Sequence, residues 1–251
     1  MGVVTEWVQS YEVLHASEPG SPFPAPSSST LDEARELRRP APLFFLSYCN
    51  ATWGGAEGQR GPDRRVIKFF NDLSENVAQL VSRPVGSDPG FMDRSMPGGV
   101  HWTDELLVAL GRCRSFVALL SDPYLKSQWC RAEWNAFAQR KVTRRAGDGE
   151  TAQVGIIPVI WTPVPDGHMH MLPVIAQVQR FSPRGLPDVD LAAGYEAEGV
   201  YGLLRMKQED LYEVLVWRIA RCIADFHFGH VVEERRLCAG DLRDPLRRDP
   251  L

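Results

Sequence analysis

Two continuous apolar runs, LFFLSY at residues 43–48 and SFVALLS at 115–121, constrain the fold of this chain most strongly. Each has the length of a strand and neither alternates with polar residues. That pattern requires burial on both faces, as in a parallel sheet covered by helices. VGIIPVIW at 154–161 reads as a further strand, with Pro158 deleting one ladder donor and arguing against a fully central place. GFMD at 90–93 allows a short strand, and Gln177–Phe181 a last one.

Helical periodicity fills the intervals. Val66, Phe69, Phe70, Leu73, Val77, Leu80 and Val81 fall at offsets 0, 3, 4, 7, 11, 14 and 15, which makes one apolar face. Thr103 is placed to cap a helix whose first turn carries Asp104 and Glu105 and whose buried face carries Leu106, Leu107 and Leu110. Asp122-Pro123 turns the chain towards a helix around Gln128–Arg140. A closing helix, about Gln208–His227, puts Leu211, Leu215, Ile219, Cys222 and Phe226 on one stripe. The alternation predicts an α/β fold with a doubly wound, mainly parallel sheet of about five strands.

The flanks differ in kind. Residues 1–16 form an N-terminal extension, and SEPGSPFPAPSSST at 17–30 reads as a Pro/Ser-rich linker. Thr30-Leu31-Asp32-Glu33 is a capping-box pattern that opens a short helix over 31–39, stopped by Pro40 and Pro42. The domain is expected over 40–230. Residues 231–251 mix both charge signs and read as a solvated tail.

Composition excludes several classes. With 28 Lys+Arg against 32 Asp+Glu, the net charge of −4 offers no basic excess to hold a nucleic-acid backbone. No apolar stretch approaches the ~20 residues that span a bilayer, and the acidic N-terminus does not suit a signal peptide. Glu6 breaks the myristoylation pattern. Five cysteines, an odd number with no Cys-x-x-Cys pair, fit a reducing, cytoplasmic compartment.

Three segments, in order, resemble the TIR (Toll/interleukin-1 receptor) family. FFLSYCNATW at 44–53 is similar to its first-strand box, and FMDRSMPGGVHW at 91–102 to its acidic strand end and BB loop. LLSDPYLKSQWCRAEW at 119–134 looks like its Ser-x-x-Tyr-x-x-Ser-x-Trp-Cys-x-x-Glu signature. The overall look is closest to the TIR-like proteins found beside actinobacterial peptide-maturation genes. Two departures stand out: Pro-Ala-Pro-Leu replaces the acidic residue frequent before the first box, and the Gly-rich insertion at 54–63 is long.

The resemblance implies a flavodoxin-like strand order, 2-1-3-4-5, with a ligand crevice beyond the carboxyl ends of the first and third strands. Ser47, Tyr48, Asn50 and Trp53 would line one wall, Asp93 and Arg94 would approach from the second strand, and the helix carrying Trp129 and Glu133 would form the third wall. These last two stand at i, i+4 on one helical face, an aromatic plane beside a carboxylate, which suits a cationic, stacking ligand. Cleavage of the nicotinamide–ribose bond of NAD passes through an oxocarbenium-like state that a carboxylate stabilises. Catalytic members of the family use the glutamate of this motif in that way, so the implied residue is Glu133, with NAD as substrate and no bound cofactor.

Each residue also has a plainer reading. A helical glutamate is usually solvated, but no Lys or Arg stands at i±3 or i±4 of Glu133, so a helical salt bridge does not explain it. Asp93 can equally cap its loop. Trp129 and Trp134 read more readily as packing groups, and Cys130 as a small buried hydrophobe. His168 and His170 lack further ligands at metal spacing, so no metal is expected. In the loop Arg94–Trp102, Pro97, Gly98 and Gly99 allow a projecting backbone that carries Met96, Val100 and Trp102. Self-association through this loop is one reading, and Trp102 folding back on its own domain is the other. The functional alternatives are therefore an NAD nucleosidase activated by self-association, and a non-catalytic module that assembles with other TIR-like domains. A flavodoxin-like nucleotide binder ranks below both, because no compact Gly pattern opens a helix after Tyr48.

Overall fold

The first buried run forms β1 (Phe44–Ser47), the centre of a four-stranded parallel sheet. The structure is a computed structural model, and it describes residues 40–49, 62–93, 103–146, 155–164 and 189–242. The readings at 1–39, at 94–102 and at Gln177–Phe181 lie outside those residues, as do Asn50, Trp53, His168 and His170.

From β1 the chain runs through α1 (Arg64–Leu80) to β2 (Gly90–Phe91), then through α2 (Asp104–Arg112) to β3 (Ser115–Leu120). Two helices follow, α3 (Asp122–Lys126) and α4 (Gln128–Ala138), and after β4 (Val142–Arg144) comes β5 (Ile156–Ile160). The strand order is β2-β1-β3-β5, with Phe44 opposite Ser115, Ser47 opposite Ala118, and Phe116 opposite Ile156. Among the described residues β5 has a neighbour on one side only. Pro158 is paired there with Ala118, where one missing donor is tolerated.

The continuous apolar runs are explained by two cores, one on each face. Phe44, Leu46, Val117, Leu119, Ile157 and Val159 pack under α1 and two later helices, α5 (Val189–Arg205) and α6 (Glu209–Gly229). Phe45, Phe116, Ala118, Leu120 and Ile156 pack under α2, α3 and α4. This is the doubly wound arrangement, and it sends the connections from β1 and β3 to opposite faces. Thr103 caps α2 as its sequence predicts, accepting a hydrogen bond from the Leu106 amide at 3.2 Å. No helix among the described residues is long and apolar enough to cross a membrane.

Four features differ from the sequence reading. The Asp122-Pro123 step opens a short helix of its own, α3, with Ser121 as cap. On α6, Cys222 is exposed and Ile223 takes its place in the buried stripe, because 3.6 residues per turn put Ile223, four after Ile219, back on the core side. The segment from 231 is not wholly a solvated tail. β6 (His230–Val232) pairs antiparallel with β4, and Val232 and Leu237 are buried in the second core. The fourth difference is α5, whose glycines at 194, 199 and 202 obscure its periodicity.

α5 is interrupted at Gly199, where φ is 63° and ψ is 175°. The interruption lets the Tyr201 amide donate to the Trp161 carbonyl at 2.9 Å. A Cβ at Gly199 would stand 2.7 Å from that same carbonyl oxygen. Both the positive φ and a rigid backbone neighbour penalise a side chain, so Gly199→Ala is expected to lower stability by ~2 kcal/mol or more. A urea midpoint unchanged by the substitution would contradict this account.

Candidate functional site

The site is assembled at the carboxyl ends of β1 and β3, the switch point of the sheet. Side-chain alternation along β1 divides its last residues between the two faces. Ser47 turns towards α3 and α4, whereas Tyr48 turns towards the α1 side and is buried in that core. Ser47 Oγ donates to Glu133 Oε2 at 2.5 Å and lies 3.1 Å from the Tyr124 hydroxyl.

Local sequence explains how these groups meet. Ser121 and Ser127 cap α3 and α4, their hydroxyls accepting from the amides of Tyr124 and Cys130. The two caps hold both short helices against the strand ends. Cys130, Trp134 and Phe137, at i, i+4 and i+7, are buried on α4, and Phe116 meets Trp134 edge-on at 6.1 Å and Phe137 at 5.4 Å. Glu133 sits beside that stripe, three residues after Cys130, so packing α4 on β3 carries its carboxyl to Ser47. Arg131 Nη1 donates to the Leu125 carbonyl at 2.8 Å and ties the end of α3 to α4.

Glu133 is only 3% exposed. Burial pushes its carboxyl up from 4.5 to about 8; the hydrogen bond from Ser47 opposes this, and the negative charge of Asp93 and of Cys49 adds to it. Asp93 is thus brought to the site as a second acidic group. Its backbone carbonyl accepts the Tyr48 hydroxyl at 2.6 Å, which fixes the end of β2 to the end of β1. Tyr124, wholly buried, has its hydroxyl held neutral by desolvation above all. The resulting arrangement is a buried chain of Tyr124, Ser47 and Glu133, ending in a carboxyl whose protonation changes near neutral pH.

A pH dependence of stability follows. In the unfolded chain Glu133 ionises above 4.5, whereas in the folded protein it keeps its proton until about 8. Between those values the folded state holds a proton that the unfolded state lacks, so the contribution of Glu133 to stability is fully present below 4.5 and is lost as pH rises through the window. One proton accounts for at most ~1.4 kcal/mol per pH unit. Urea midpoints measured from pH 4.5 to 8 should therefore fall less steeply for Glu133→Gln than for the parent chain. Equal slopes would exclude a proton held at Glu133.

Of the residues read as lining a crevice, the structure brings Ser47, Asp93 and Glu133 together. Trp129, on the first turn of α4, is half-buried. Tyr48 joins the core rather than an open wall. Asn50, Trp53, Arg94 and the loop residues Met96, Pro97, Gly98, Gly99 and Trp102 lie outside the described residues. Tyr124 and the pair Cys49 and Cys130 were missed as members of the site. For Tyr124 a signal exists, since it is the tyrosine of the 119–134 box, nine residues before Glu133; Cys130 reads from sequence as a packing group.

A family model described as TIR domain matches residues 71–203, just over half of the chain. No curated protein and no solved structure matches it.

Proposed function

Because the chain belongs to the TIR domain family, we propose that it cleaves NAD at the nicotinamide–ribose bond, by hydrolysis or cyclisation, through Glu133. The observation that carries this reading is a carboxyl at the β1/β3 switch point whose proton affinity lies near neutrality, with no basic residue hydrogen-bonded to it among the described residues. A cationic nicotinamide ring beside Glu133 favours its ionised form. The carboxylate then faces the positive charge that develops on the ribose as the bond breaks. Asp93 adds to the negative field. Trp129 supplies an aromatic plane, and Ser47, Asn50, Trp53 and Arg94 contact the remainder of the substrate. Tyr48 contributes by holding the ends of β1 and β2 together.

The reading includes activation by self-association through Met96, Pro97, Gly98, Gly99 and Trp102, in a cytoplasmic setting of signalling or defence. Support for it lies in the loop's sequence, where Pro97, Gly98 and Gly99 allow a projecting backbone and Met96 and Trp102 are apolar. A head-to-tail contact of this kind propagates instead of closing as a dimer. Specific activity should then rise with protein concentration, and Trp102→Ala should lower it with little change in thermal stability. Nicotinamide release and light scattering measured across one concentration series test both parts. A monomer with constant specific activity would reject the assembly, and no release at any concentration would reject the chemistry.

A second reading, a non-catalytic module that assembles with other TIR-like domains, is favoured by the same hydrogen bond. Ser47–Glu133 ties α4 to β1 whether or not a substrate is ever bound.

A further inference from the structure

Beside the Ser47–Glu133 bond, β1 and α4 meet a second time through sulfur. Cys49 follows β1 by two residues and is half-buried, while Cys130 is fully buried in the first turn of α4. The two thiols lie within interaction range of each other and of the Ser127 side chain, whose hydroxyl accepts from the Cys130 amide at 3.3 Å. Cys130 Sγ lies 3.5 Å from the carbonyl oxygen of Tyr48, the residue next to Cys49, which places the two cysteines side by side. None of the five cysteines is in a disulfide, so this is a reduced dithiol with one member reachable from solvent and the other behind it.

We propose that Cys49 and Cys130 form a peroxide-responsive thiol pair, in which Cys49 is the modified residue and Cys130 the resolving one. The Cys49 thiolate attacks one oxygen of a hydroperoxide. A sulfur–oxygen bond forms, the oxygen–oxygen bond breaks, and the departing oxygen leaves as an alcohol, or as water when the oxidant is hydrogen peroxide, after taking up a proton. Cys130 Sγ then attacks the Cys49 sulfenic acid. The sulfur–sulfur bond forms, and the hydroxyl leaves as water with the Cys130 proton. Two thiols are oxidised by two electrons and the peroxide is reduced by two. A small-molecule dithiol reverses the step by exchange.

The acidity of Cys49 suits the attacking role. The hydrogen bond from Cys130 draws the Cys49 thiol below its ordinary value against the opposing effect of burial, and the Ser127 hydroxyl helps. Burial holds Cys130 well above its ordinary value, so it keeps the proton it donates. Elsewhere, partial desolvation and the nearby Asp225 push the exposed Cys222 thiol up, which disfavours its thiolate. A disulfide at 49–130 would join the same two elements as the Ser47–Glu133 hydrogen bond, next to the acidic site. The pair requires nothing of the chemistry assigned to Glu133.

The test uses the full chain treated with hydrogen peroxide, quenched with N-ethylmaleimide and mapped by mass spectrometry. The expected result is a peptide crosslinked through Cys49 and Cys130, with two of the five thiols lost to alkylation and recovered after dithiothreitol. In Cys130→Ser, dimedone should label Cys49, because the sulfenic acid has no resolving thiol. Oxidation that falls on Cys222 or Cys238 while Cys49 and Cys130 stay reduced would overturn the proposal. Peroxide that carries Cys49 to the sulfinic acid without a crosslink would do the same. Should Cys130→Ser not fold, the crosslink in the parent chain decides alone.

Discussion

Glu133→Gln is expected to lower nicotinamide release from NAD by ~10²-fold or more while the domain stays folded, an effect of the size seen when a group aimed at developing charge is removed. The substitution is nearly isosteric. The amide oxygen of glutamine still accepts the Ser47 hydroxyl that now bonds Oε2 at 2.5 Å, so the junction of β1 and α4 survives. What disappears is the capacity to carry negative charge. Since burial already holds the carboxyl neutral up to about 8, the amide resembles the resting state and differs only when the site needs an anion. That separates catalysis from folding: activity should fall while the urea midpoint near neutral pH is kept or raised. If the variant released nicotinamide at the parent rate, Glu133 would have no catalytic role.

Leu119→Asp is expected to abolish folding. Leu119 is 1% exposed on β3, with β1 and β5 on either side, and its side chain packs in the core under α1 and α6. Removing a buried leucine from a site that cannot collapse lowers stability by ~3–5 kcal/mol, and a carboxyl without a partner adds ~2 kcal/mol or more even if it takes up a proton. The sum approaches the ~5–15 kcal/mol that stabilises an ordinary domain. Far-UV circular dichroism of the purified variant reads the outcome. Leu46→Asp on β1 should behave alike, whereas a cooperative, native-like melt for either would mean that these runs do not form the doubly covered centre.

The parallel sheet was legible because its physics is written locally. A strand covered on both faces has no polar side to alternate with, so Phe44, Leu46, Phe116 and Leu119 announce their burial without reference to any other part of the chain. The same holds for α1, whose apolar stripe needs only the helical period, and for the Thr103 cap. Elements with a weaker local signature were not legible. β4 and β6 are three residues each and have meaning only as partners, and Val232 reads as part of a charged tail until Val142 is set opposite it. Gly199 interrupts its helix for a reason that lies on another element, the carbonyl of Trp161.

The acidic site divides along the same line. That Ser47 ends a buried strand and that Glu133 lies on a helix with no cation a turn away is legible locally, because both are questions of near neighbours. That Ser47 donates to Glu133, that Tyr124 lies behind it, that Asp93 adds its charge and that Cys49 meets Cys130 were decided by tertiary structure alone. These groups come from four separate segments of chain, and only the order β2-β1-β3 with α4 packed across it brings them together. Their acidities were decided there too. A carboxyl's proton affinity depends on how much water remains around it, and for Glu133 that is set in large part by the ends of β1 and β2, which lie far from it in sequence.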